Sequence, residues 1–231
     1  MTDPAIFSPA LFQPAQWLSG AHIGLVTDVN DPDSQGRIQI QILASDPDGE
    51  ALIWARVATA FAGDNYGFHA IPDVGEEVLI LFAGNDSMHP IVIGSLWNGS
   101  TQLPDEIGSN GVDRWSLNGK AGTRIAIVEE SSGSEKVEIE TPGGAKITVT
   151  DEGGGRVTCK ASGNTVKLSG SGITVKSPSK VSVEAATVEV SAGMVTVDSA
   201  FSQFSGVVQC DMLISNTVIS STYTPGAGNI W

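Results

Sequence analysis

Between Val137 and Ser199 the chain reads VEIETPGGAKITVTDEGGGRVTCKASGNTVKLSGSGITVKSPSKVSVEAATVEVSAGMVTVDS, and one unit keeps returning in it. Val137/Ile139, Ile147/Val149, Val157/Cys159, Val166/Leu168, Ile173/Val175, Val181/Val183, Val188/Val190 and Val195/Val197 are apolar pairs two residues apart, at steps of 10, 10, 9, 7, 8, 7 and 7 residues. Alternation of period two marks a strand with one buried face. So short a return leaves room for one short strand and a tight corner, and none for a helix. Each strand offers two inward side chains, too few to close a core, so the units need stacked neighbours. No Phe, Tyr or Trp occurs from Ser116 to Ala200, although the chain has 7 Phe, 2 Tyr and 5 Trp. A core of Val and Ile without aromatic bulk suits a narrow lumen. The pattern therefore predicts that several copies, most simply three, wind together into a slender β-prism over 122–223. Its predicted lumen is lined by Val157, Val166, Leu168, Ile173, Val175, Val181, Val183, Val188, Val190, Val195 and Val197.

Upstream of this repeat, residues 22–98 read as a compact β domain. His22–Val29 and Arg37–Ile42 alternate as strands around the turn Asn30-Asp31-Pro32-Asp33-Ser34-Gln35-Gly36. Leu52–Ala58, Glu77–Phe82 and Pro90–Leu96 are three more, set off by Pro72-Asp73-Val74-Gly75 and Gly84-Asn85-Asp86. Five strands in this length predict a small closed barrel of the OB type. Residues 99–121 read as a linker. Residues 1–21 carry Pro4, Pro9 and Pro14 among Phe7, Leu11, Phe12 and Trp17, a spacing that forbids a long helix. They read either as an arm that packs on another subunit or as a disordered tail. Residues 224–231, TPGAGNIW, stop the last strand and finish on Ile230 and Trp231. Three copies would bring six bulky apolar groups to one tip, either as a platform for a separate capping protein or folded back to plug the lumen.

Composition excludes several functions. The formal net charge is −14, and residues 1–115 hold 3 Lys/Arg against 15 Asp/Glu. No Lys or Arg follows Lys180. Nucleic-acid binders place cations on phosphates, so this balance argues against such a partner, and it disfavours adhesion to anionic membranes by charge. No apolar run is long enough to span a bilayer as a helix, and the first twenty residues lack the pattern of a secretory signal.

GLVTDVNDPDSQGRIQI (24–40), Trp54-Ala55-Arg56-Val57 and PDVGEEVLILFAGNDSMHPIVIGSLWN (72–98) closely resemble the OB domain of contractile-tail spikes. These are the phage baseplate protein V and gene-5-like spikes and the VgrG spikes of type VI secretion. GTRIAIVEESSGSEKVEIETPGGAKITVTDE (122–152) looks like the entry into the VgrG β-helix. The resemblance implies an all-β homotrimer, with OB barrels around the base of an intertwined β-helix. It implies docking of the OB end on a separate baseplate hub protein, a PAAR-type tip protein at the other end on Ile230 and Trp231, and transient contact with a pierced cell envelope. The particle implied is a virion tail baseplate or contractile injection machine, assembled in the bacterial cytoplasm. Two parts of the family pattern are missing from this sequence: a lysozyme domain between barrel and helix, and a fused hub.

No catalytic constellation emerges. G-x-S-x-G, H-E-x-x-H, P-loop and Cys-x-x-Cys patterns are absent. Gly153-Gly154-Gly155 lacks a following Lys-Ser/Thr and reads as a turn. Glu76/Glu77 and Glu129/Glu130 are strand neighbours that point to opposite faces. His22, His69 and His89 are scattered in the barrel without ligand spacing, so no metal, tip ion or other cofactor is expected in this chain. Cys159 and Cys210 stand at apolar strand positions and read as small buried hydrophobes. The rival readings are a polysaccharide-degrading β-helix enzyme and a receptor-binding tail fibre. Seven-residue steps and the lack of aromatic sugar platforms count against the first. A third, an OB single-strand binder, lacks a basic groove.

Overall fold

The computed structural model describes residues 19–44, 48–109 and 111–222. Residues 1–18 and 223–231, and with them most of the N-terminal arm and the tip residues Ile230 and Trp231, lie outside the described residues. The chain divides into two units, Met1–Ser179 and Lys180–Trp231. No helix among the described residues is long and apolar enough to cross a membrane.

The first unit begins with a closed five-stranded barrel. Its strands are β1 (Ala21–Asp28), β2 (Ile38–Ile42), β3 (Ile53–Val57), β6 (Glu77–Phe82) and β7 (Pro90–Leu96), in the order β1-β2-β3-β7-β6 with β6 returning to β1. All pairings are antiparallel except β3 with β7, joined through Arg56↔Ile91 and Val57↔Val92. Closure depends on β1 serving both neighbours. Ala21–Leu25 pairs with β6, and Gly24–Asp28 pairs with β2 across an irregularity between Val26 and Asp28. Gly24 sits where the two pairings overlap. A Cβ there would stand 2.5 Å from Ile80 Cδ1 and 2.8 Å from the Gln41 carbonyl oxygen, so no side chain fits. Alternate residues of the strands fill the interior: Val26, Ile38, Ile40, Ile42, Ala55, Val78, Ile80, Phe82 and Val92 form one buried cluster.

The β1–β2 turn is built around Asp31. Its carboxylate accepts from the backbone N–H groups of Asp33, Gln35 and Arg37 and from the Arg37 guanidinium at 2.6 Å and 3.1 Å. The Arg37 hydrogen bond, ahead of the backbone donors, holds the Asp31 carboxyl far below the usual aspartate range. Arg37 also bonds Asp33 and lies 5.8 Å from the centre of the Trp54 ring, which ties the turn to β3. Between β3 and β6 a small ribbon, β4 (Ala62–Gly63) with β5 (Tyr66–Gly67), leaves Phe61, Tyr66 and Phe68 exposed.

The remainder of this unit is one seven-stranded antiparallel meander. It comprises β8 (Arg114–Asn118), β9 (Arg124–Val128), β10 (Lys136–Glu140), β11 (Lys146–Thr150), β12 (Arg156–Ala161), β13 (Asn164–Ser169) and β14 (Gly172–Lys176), each paired with the next. The sheet starts earlier than the sequence reading placed it, because β8 lies in the stretch taken as a linker. That stretch is also tied down: Asp105 accepts from Arg124 at 2.9 Å and from Ser116. Lys120, in the β8–β9 turn, pairs with Asp73 of the barrel. Shortening connections explain the contracting repeat. The loops are 141–145 and 151–155 early on and only Ser162–Gly163 and Gly170–Ser171 later. Ser162 (φ 48°) and Gly163 (φ 82°) form a two-residue hairpin with both central residues left-handed, the turn whose twist matches paired strands. The ladders of β8–β14 close within one chain.

The second unit differs. Its described residues, 180–222, form no strand pairing with one another. The backbone instead runs in short extended pieces between bends at Ala186, Gly193, Ala200, Gly206, Asp211, Asn216 and Ser221. These corners fall 7, 7, 6, 5, 5 and 5 residues apart. Serines stitch the later ones: Ser215 Oγ donates to the Thr217 carbonyl and accepts from its N–H, and Ser220 does the same with Thr222.

Candidate functional site

Antiparallel register puts paired residues on the same face of a sheet. Following the pairs through β8–β14 gives two columns of apolar side chains. One runs Trp115, Ile127, Val137, Val149, Val157, Leu168, Ile173. The other runs Leu117, Ile125, Ile139, Ile147, Cys159, Val166, Val175. Every rung holds two apolar groups, and no charged residue interrupts either column.

This face is open in the single chain. Ile38 in the barrel core is 0 % exposed, whereas Val149 keeps 45 %, Val166 38 % and Ile173 73 %. Summed along the columns, the open apolar area is on the order of 1,000 Å², beyond what a soluble monomer ordinarily presents in one patch. Half-buried apolar pairs of this kind are what a sheet presents when one of its faces has no opposing layer.

The opposite face is polar. Arg124, Glu138, Lys146 and Glu140 form a linked set, with Lys146 at 2.9 Å from Glu138 and 3.3 Å from Glu140 and Arg124 at 3.6 Å from Glu138. The Glu138 carboxylate, followed by that of Glu140, raises the pKa of Lys146 and keeps it charged. Over β9 and β11 part of this face is closed, with Ala126, Val128 and Thr150 buried; further along it is lined by Thr148, Thr158, Thr165 and lysines. The two faces therefore differ in chemistry, one apolar and one charged and hydroxylated.

The structure brings together part of the predicted lumen set. Val157, Val166, Leu168, Ile173 and Val175 share the apolar face. Val181, Val183, Val188, Val190, Val195 and Val197 fall in the second unit, each at least 59 % exposed. Trp115, Leu117, Ile125 and Ile127 head the columns, ahead of Val137/Ile139, the first apolar pair of the repeat. The signal was present as W-x-L and I-x-I at strand spacing, obscured by the Gly119–Gly122 turn between them. Cys159 is a rung of the second column and Cys210 is exposed. His22, its ring edge-on to Phe82 at 5.4 Å, belongs to the barrel. Among the described residues, no group of His, Cys, Asp and Glu is arranged to hold a metal ion.

A closed barrel, an open apolar ladder and a corner repeat follow one another along this all-β chain. Comparison with known families adds two matches. Residues 22–97 match the type VI secretion system/phage-baseplate injector OB domain, and residues 136–201 match the phage baseplate V C-terminal trimerisation domain. The chain carries matches to both domains in this order, and in sequence it is similar to VgrG spike proteins of type VI secretion. It is 30% identical over 144 residues to the type VI secretion system spike protein VgrG5 of Pseudomonas aeruginosa, covering 58% of this chain and 18% of that protein. To VgrG1a of the same organism it is 33% identical over 92 residues, 37% of this chain and 14% of that protein. The actin cross-linking toxin VgrG1 of Vibrio cholerae is 33% identical over 75 residues, 31% of this chain and 7% of that protein. The chain thus spans less than a fifth of the length of these relatives.

Proposed function

We propose that three copies of this chain meet along the apolar ladder and form the central spike of a contractile tail or injection machine. The observation that carries the reading is the two-column ladder, exposed over seven strands and followed by a repeat whose backbone forms no strand ladder among the described residues. In a three-chain winding, each extended piece of 180–222 lies between pieces of the other two chains. Their N–H and C=O groups satisfy its own, as buried backbone requires. The sheet β8–β14 supplies one wall of a three-walled prism, with Val157, Val166, Leu168, Ile173 and Val175 inside, and Val181 through Val197 continue that lumen.

The corner spacing gives the spike its form. An extended side of seven residues measures about 23 Å and one of five about 17 Å. A prism built on these sides narrows toward its C-terminal end. Bending or fraying such a needle breaks many interchain hydrogen bonds at once, and a prism leaves few free strand edges. The work is mechanical, transmitting the thrust of a contracting sheath to a cell envelope, and it needs no catalytic step or cofactor. The OB end docks on a separate hub, to which the ribbon aromatics Phe61, Tyr66 and Phe68 offer apolar area. Ile230 and Trp231 serve a PAAR-type tip protein.

The test is location. Particles carrying a tag on this chain, imaged with a label against that tag, should show the label on the tail axis at the baseplate. Label confined to peripheral fibres would overturn the reading.

A further inference from the structure

The chain-wide charge of −14 conceals a local reversal on the polar face of the sheet. An open cup of about 440 Å³ is lined by Lys146, Arg156, Lys160 and Lys167 with three threonine side chains and no carboxylate. Its cations are not equivalent. Lys146 is turned to Glu138 and Glu140 at one margin, and Arg156 is held by Glu152 at 2.5 Å at another. Lys160 and Lys167, in the middle, have no ion pair among the described residues. Lys160 stands directly opposite Lys146 across β11 and β12, and Lys167 stands opposite Thr158 across β12 and β13. Like charges directly opposed on a sheet repel, and Glu138 and Glu140 compensate only the Lys146 side of this pair. Lys176, opposite Thr165 on β14, extends the positive field along the same face.

We propose that this cup binds phosphate groups, with Lys160 and Lys167 as the cations that hold them and the Thr158 and Thr165 hydroxyls as added donors. Ammonium groups flanked by hydroxyls satisfy several phosphate oxygens together. The cup lies on the face away from the apolar ladder, so it stays open to solvent when the ladder is covered. On a piercing spike it would meet the headgroup phosphates of anionic lipids. A soluble phosphate ester offers the same chemistry. The proposal rests on the cup alone and holds or fails whether or not the spike reading does.

The test uses the full-length protein and two probes. One is flotation with vesicles of phosphatidylcholine, alone or with about a third phosphatidylglycerol; the other is calorimetric titration with inorganic phosphate. Binding to anionic but not neutral vesicles assigns the site to lipid headgroups, and binding of free phosphate assigns it to soluble esters. In either case each lysine neutralised should weaken binding about fivefold, so Lys160→Gln/Lys167→Gln together should cost about 25-fold. Lys180→Gln removes the same charge outside the sheet and should bind as the parent does. Equal binding to neutral and anionic vesicles overturns the proposal, as does unchanged binding by the double variant. So does failure to bind either probe, the result expected where an acidic segment of a neighbouring copy fills the cup.

Discussion

Val166→Asp tests the ladder at its middle. Val166 lies between Cys159 and Val175 in one apolar column, 38 % exposed in the single chain. The area still open is about 60 Å², worth about 1.5 kcal/mol when covered. Three symmetric copies lose about 4.5 kcal/mol, roughly a thousandfold in the assembly constant. Burying three carboxylates around one axis adds several kcal/mol more for each. Within one chain the same change removes a β-branched residue from a strand and costs only about 1 kcal/mol. The variant should therefore keep a folded barrel and sheet by circular dichroism while sedimenting as a monomer. Thr158→Asp is the matched control. It places the same charge on the neighbouring strand but on the polar face, opposite Lys167, and should leave the assembly intact. If Val166→Asp assembles as tightly as the parent, the apolar columns do not form a contact between chains.

Gly24→Ala should lower the melting temperature of the barrel by forcing a Cβ against Ile80 and the Gln41 carbonyl, a cost of about 1–3 kcal/mol read by thermal denaturation. Asp31, held charged by Arg37 and three backbone donors, has its folded pKa depressed. Its contribution is present above the unfolded value of about 4 and is lost as pH falls toward the folded pKa. The stability gap between the parent and Asp31→Asn, measured in denaturant titrations, should therefore be full at neutral pH and shrink on acidification below pH about 4. Ser215→Ala/Ser220→Ala removes the corner bonds to Thr217 and Thr222, and should cost about 1 kcal/mol per corner in each copy. The loss should appear as earlier hydrogen exchange in the C-terminal repeat, with the barrel unaffected.

The sequence revealed much of this architecture because two periodicities are unusually clean in it. The barrel strands alternate around Ile38/Ile40/Ile42 and Val78/Ile80/Phe82, and the turns between them carry Asp, Asn, Pro and Gly. The ladder pairs from Val137 to Val175 are equally regular, and the structure sets them side by side in register. Less legible was which chain each strand would bond to. Period two fixes the face a side chain takes, not the origin of the neighbouring strand, so β8–β14 gave no sign of closing within one chain. The shortening of the corner steps after Gly206 was hidden for a related reason. Val207-Val208, Leu213-Ile214 and Val218-Ile219 recur as adjacent residues, and a search for apolar pairs two apart passes over them. The cationic cup was invisible because Lys146, Arg156, Lys160 and Lys167 are scattered along the chain and gathered only by strand pairing.

Stoichiometry is the most direct trial of the account. Light scattering or sedimentation equilibrium of the purified full-length chain should return three times the 23.9 kDa of one copy. A stable species of 23.9 kDa with residues 180–222 protected from hydrogen exchange would contradict it, since among the described residues of one chain that stretch forms no strand ladder.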